Sequence, residues 1–72
     1  MDEYSRIVIE NYCFTHNTKK AENLSRLVEM SYDVSAQGTD EDAVYLERLI
    51  QREKEPELRA ALSDLDDYLF GY

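Results

Sequence analysis

From Leu58 to the end of the chain, Leu58, Leu62, Leu65, Leu69 and Tyr72 recur at alternating intervals of four and three residues. On a helix of 3.6 residues per turn that spacing keeps all five side chains in one seam, the pattern of a helix packed against other helices. Ala61 and Tyr68 widen the seam. Two heptads are too few for a free-standing coiled coil, so the seam must be covered by the rest of the chain or by a second copy of it. With 72 residues in all, the cover has to be a few more short helices in a single domain, residues 1–72. Doubly wound sheets and (β/α)₈ barrels need far more chain.

The other segments supply such helices. Ala21, Leu24, Leu27 and Val28 mark one face of a helix over 18–33, extended by Tyr32 and capped by Asn17 or Thr18. Ser35-Ala36-Gln37-Gly38 reads as a loop, with Gly38 suited to positive φ. Thr39 then caps a helix over 40–53, with Asp42 at the N3 place of a capping box and Ala43, Leu46, Leu49 and Ile50 facing inward, Tyr45 on their flank. Pro56 forces a break near residues 54–55 and opens the fourth helix, 56–70. Residues 3–15 are ambiguous in type. Ile7-Val8-Ile9 is β-branched and could start a strand, but Tyr4, Val8 and Tyr12 fall at i, i+4 and i+8, with Ile7 and Phe14 beside them and Asp2 placed to cap. A helix is the better reading, and the expected fold is an all-α bundle of four short helices. Once Ile9 and Cys13 are counted, the first helix is apolar around more than half its girth, which calls for a second surface. A homodimer meeting through Ile7, Ile9, Cys13 and Phe14 is the expected form of it, because a core this small supplies only about 3–5 kcal/mol by itself.

Chemistry-bearing motifs are scarce. Cys13 is the single cysteine, so no internal disulfide can form, and Met1-Asp2-Glu3 is acidic where a signal peptide is basic. No run approaches the ~20 apolar residues of a membrane span. A cytoplasmic protein is expected, in a host's cytoplasm if a mobile element encodes it. Cys13 and His16 share a helix face but make only half a metal site; a buried thiol beside a helix-terminal imidazole is the better explanation. Asp33, Ser35, Gln37, Gly38, Thr39 and Glu41 match positions 1, 3, 5, 6, 7 and 9 of a calcium-binding EF-hand loop. Position 12, however, is Val44, which cannot ligate, and a glycine turn before a capped helix accounts for the same residues. No nucleophile elbow, zinc-protease, phosphate-loop or dinucleotide motif occurs. A protein without catalytic residues, metal or cofactor is expected.

Charge is the remaining signal. Asp and Glu number 16 against 8 Lys and Arg, a net charge of −8, which argues against direct binding to nucleic acid. Residues 1–38 hold six acids and four bases, residues 39–72 ten acids and four bases. Asp40, Glu41 and Asp42 stand at a helix start, where the dipole welcomes them. Asp64, Asp66 and Asp67 stand in the last two turns of the fourth helix, where the dipole opposes acids, and no basic residue follows Arg59. Local stability does not explain them, so a positively charged partner does. Phe70 falls on the same side as Asp66: either it is an aromatic anchor within a charged rim, or the chain frays at Gly71 and the ring folds back. The expected function is therefore non-enzymatic binding of a basic protein surface, such as that of a nucleic-acid-binding protein or complex. Over its whole length the chain resembles, in size and charge, the small acidic inhibitors of bacteriophages and mobile elements, anti-CRISPR proteins and other DNA mimics among them. The alternative is an assembly module, a homo-oligomer or small subunit whose charge serves solubility.

Overall fold

Each of the first three helices starts where a side chain takes up a free backbone N–H. The Asp2 carboxylate accepts from the Tyr4 N–H at 3.2 Å, and Thr18 Oγ1 accepts from the Ala21 N–H at 3.2 Å. Thr39 Oγ1 accepts from the Asp42 N–H at 3.1 Å while the Asp42 carboxylate accepts from the Thr39 N–H at 3.2 Å, a complete capping box. The fourth helix opens on Pro56, which has no N–H to satisfy. The computed structural model describes residues 1–33, 35 and 38–71 and contains α1 (Glu3–Thr15), α2 (Lys19–Met30), α3 (Asp40–Arg52) and α4 (Pro56–Phe70). The all-α bundle is as expected, and Ile7-Val8-Ile9 lies within α1.

α2 stops three residues short of the expected end. Beyond Met30 the N–H groups of Ser31, Tyr32 and Asp33 reach back only three residues, to the carbonyls of Val28, Glu29 and Met30, so the last turn tightens and the chain leaves the helix. Arg6 on α1 secures this end. Its Nη2 donates to the Ser31 carbonyl at 3.0 Å, its Nε donates to Ser31 Oγ at 3.2 Å, and its guanidinium lies 4.5 Å from the centre of the Tyr32 ring. α2 has no basic residue in its own last turn, so a neighbouring helix supplies the cation that its dipole favours. Tyr32 does not extend the buried face of α2; it is exposed and donates to Glu10 at 2.7 Å.

The core is Ile9 from α1, Leu24, Leu27 and Val28 from α2, Leu46 from α3, and Leu58, Ala61, Leu62 and Leu65 from α4. The face of α2 and the first four members of the α4 seam are as expected. Leu69 is half-buried against the core, Tyr68 is exposed, and Tyr72 lies outside the described residues. The phase of α1 differs from the expected one. Ile9 is 0% exposed and Ser5 is buried, whereas Tyr4 stands 57% exposed and donates from its hydroxyl to Glu57 at 2.6 Å. A helix apolar on most sides carries no periodic signal for which side turns inward. Small Ser5, one turn before Ile9, marks the side that approaches its neighbours. Ile9 is thus a core residue and is not available to a second chain, and Cys13 is half-buried against the same core.

α1 packs on α2 and on α4, and α3 packs on α4. α2 and α3 are joined instead by side chains. Lys20 meets Glu53 at 3.1 Å, Asn23 Nδ2 donates to Tyr45 Oη at 3.2 Å, and Arg26 meets Asp42 at 2.9 Å. These three links run up α2 and down α3, an antiparallel polar seam that closes the bundle.

Candidate interaction surface

Pro56 folds α3 back along α4 as a helical hairpin, so the start of α3 lies beside the end of α4. Gly38, just before α3, sits against the Phe70 ring so closely that a Cβ at that position would run into it. The glycine is therefore required by close approach and not by positive φ, which no described glycine adopts. Phe70 is half-buried and packs against the core. Of the two readings, the free aromatic anchor fails and the ring does fold back onto the bundle, but without fraying, since α4 reaches Phe70 and the Gly71 N–H bonds the Asp67 carbonyl at 2.9 Å. The ring is covered because the chain entering α3 crosses it, a tertiary contact that no local pattern reveals.

This contact brings the two acidic clusters of the sequence to one end of the hairpin, where they divide by role. Asp42 is used internally: Arg26 holds its carboxyl below the usual carboxylate range, with burial opposing and the Thr39 capping bonds assisting. Asp40 and Glu41 are exposed in the first turn of α3. Asp64 accepts from the Asp2 N–H at 3.0 Å and so ties the start of α1 to α4. Asp67 is exposed, while Asp66 is partly buried. Burial pushes the Asp66 carboxyl up, and the charges of Asp67 and Glu47 push it further. Among the described residues, the ion pairs are Lys19–Glu22, Lys20–Glu53 and Arg26–Asp42, and none involves Asp64, Asp66 or Asp67.

Glu47 is the member that sequence reasoning overlooks. It stands seven residues, two turns, after Asp40 on the same side of α3. Folding the chain about Pro56 carries it toward Asp66, so the hairpin itself was the signal. Chemically, Glu47, Asp66 and Asp67 form an anionic strip across two helices, suited to guanidinium or ammonium groups from outside.

The remaining candidates resolve into structural roles. Burial, with Glu10 adding to it, pushes the Cys13 thiol up, opposite to an activated thiolate. The His16 ring stacks on Tyr12 at 4.0 Å between centroids, and its Nδ1 lies 2.9 Å from the Tyr12 carbonyl at the end of α1. Asp33 accepts from the Ser35 N–H and hydroxyl at 2.9 and 2.7 Å, whereas Gln37 of the EF-hand-like pattern lies outside the described residues. Among the described residues no three His, Cys, Asp or Glu side chains gather as a metal site, and no helix is long and apolar enough to cross a membrane. Comparison with known protein families, with curated proteins and with solved structures finds no match to this chain.

Proposed function

We propose that this chain is a non-enzymatic acidic interaction protein that occupies a basic surface on a larger protein, of the kind that ordinarily holds nucleic acid, as the small DNA-mimicking inhibitors of phages and mobile elements do. The observation that carries this proposal is Asp66. Its carboxylate is partly buried beside Asp67 and Glu47, near the negative end of a helix dipole, and none of the ion pairs among the described residues reaches it. Such a placement costs the free protein stability and gains in a complex, where basic groups would neutralise all three acids. Its net charge would also steer a basic partner from a distance. The experiment is affinity capture at low and high salt with the wild type and with Asp66→Asn/Asp67→Asn. A basic partner retained by the wild type at low salt, and lost with salt or with the substitutions, is expected. Equal retention by both proteins would overturn the proposal.

A second reading, an assembly module, is favoured by a different observation. Phe14 is 91% exposed and Ile7 48%, both on α1 and far from the acidic strip. The two readings use different faces and do not compete.

A further inference from the structure

We infer that the outward face of α1 binds a second copy of this chain, antiparallel, about a twofold axis that passes beside Asn11. The inference rests on the assembly reading and names its partner and register. Ile7 and Phe14 are seven residues apart on the side of α1 opposite Ile9, and neither packs against the core. Tyr32, 60% exposed, borders this face on the α2 side through its bond to Glu10, and Tyr4 borders it on the α4 side through its bond to Glu57. A Phe left this bare forfeits most of the burial that such a ring normally gains.

Area, charge and spacing each point to a second copy as the occupant. Aromatic side chains offer roughly 150–250 Å² each when fully exposed, and an Ile no more than that. Phe14, Ile7, Tyr4 and Tyr32, covered completely, therefore offer on the order of 500 Å² per chain and about 1,000 Å² in a pair, which reaches the threshold of a specific interface. Self-association is opposed least where the net charge of −8 is thinnest, and residues 1–38 carry −2 of it, with Glu3 and Glu10 at the edge of the face. An antiparallel pair sets Ile7 of one chain against Phe14 of the other. It opposes the two helix dipoles as well. Asn11 falls between Ile7 and Phe14 in the 4-3 spacing, the place where a single polar residue fixes the register of paired helices.

The test is sedimentation velocity at tens of micromolar, joined to cysteine cross-linking. The wild type is expected to run at twice its 8.5 kDa chain mass. Phe14→Glu and Ile7→Glu are expected to run as monomers with unchanged helicity, because neither residue belongs to the core. In a Cys13→Ser background, Asn11→Cys is expected to oxidise to a disulfide-linked dimer and Ile7→Cys to stay monomeric under denaturing conditions. A wild-type monomer would overturn this inference and leave the assembly reading only in its small-subunit form. A dimer that survives Phe14→Glu, or one cross-linked through Ile7→Cys, would overturn the inference alone. A different protein bound over Phe14 of a monomeric chain would overturn it too.

Discussion

α3 carries acids toward two neighbours, and the two contacts are built on opposite terms. Toward α2 every partner is matched: Asp42 with Arg26, Glu53 with Lys20, Tyr45 with Asn23. Burial opposes the charge on both Lys20 and Glu53; Glu53, helped by Tyr12, nevertheless holds the ammonium more basic than usual, and the Glu55 N–H together with Lys20 holds the carboxyl more acidic. Lys20 also lies 5.0 Å from the centre of the Tyr12 ring. Toward the end of α4, burial and the charges of Asp67 and Glu47 push the Asp66 carboxyl the other way. Acids that serve the fold come with a cation or a capping bond. Asp66 has neither, and the proposed function assigns its compensation to a partner outside the fold.

The largest effect expected from breaking this arrangement is at Gly38. Gly38→Ala drives a methyl into the Phe70 ring, and overpacking of this kind costs about 1–3 kcal/mol. Thermal unfolding should show a fall in Tm of roughly 4–24 °C at about 4–8 °C per kcal/mol. Phe70→Ala in the same chain should remove most of the added penalty, because the clash would have lost its partner. An unchanged Tm for Gly38→Ala would mean that the acidic end is not held by this contact.

Much of the fold is legible because its signals are local. Asp2, Thr18, Thr39 and Pro56 begin the helices that their chemistry predicts, and the faces of α2 and α4 follow from leucine spacing alone. What sequence reasoning misreads depends on which element lies opposite. α1 is apolar on most sides, so nothing local says that Ile9 faces the core while Tyr4 does not. Gly38 looks like a turn residue until Phe70 is brought against it. Arg6 shows no sign of serving the end of α2, because its target lies 25 residues away. At the candidate surface, Asp66 and Asp67 were visible as acids misplaced on a dipole. Glu47 was hidden by the mixed charges around it, and Asp42 by a capping role that does not disclose its second bond to Arg26.

A smaller effect is expected at Asp42. Asp42→Ala removes half the capping box and the partner of Arg26, a loss of about 1–2 kcal/mol near neutral pH. The folded-state pKa of Asp42 is lowered from 3.8, so its contribution is complete above 3.8 and is lost as pH falls through the lower folded value. In Tm measured against pH, wild type and Asp42→Ala should differ at neutrality and converge in strong acid. A gap that persists below the folded pKa would mean that Asp42 acts through packing and not through its charge.

The smallest effect on stability should have the opposite sign. The folded-state pKa of Asp66 is raised above 3.8. Its cost is therefore absent below 3.8, sets in as the unfolded chain ionises, and is complete above the folded value. Partial burial beside the like charges of Asp67 and Glu47 is a cost on the order of 0.2–0.5 kcal/mol, the size of a like-charge pair on a helix surface. Asp66→Asn should accordingly raise Tm by roughly 1–4 °C at neutral pH, and the gain should vanish on acidification below 3.8. A lowered Tm at neutral pH would mean that Asp66 has a stabilising internal partner.

The decisive measurement is the salt dependence of affinity for the captured basic partner, wild type against Asp66→Asn/Asp67→Asn, with both proteins equally helical. If the unmatched acids are held ready for a complex, neutralising them lowers affinity by about tenfold or more at low salt and flattens the salt dependence. Equal affinities and equal salt slopes would contradict it, leaving those carboxylates as a cost without a purpose at this surface.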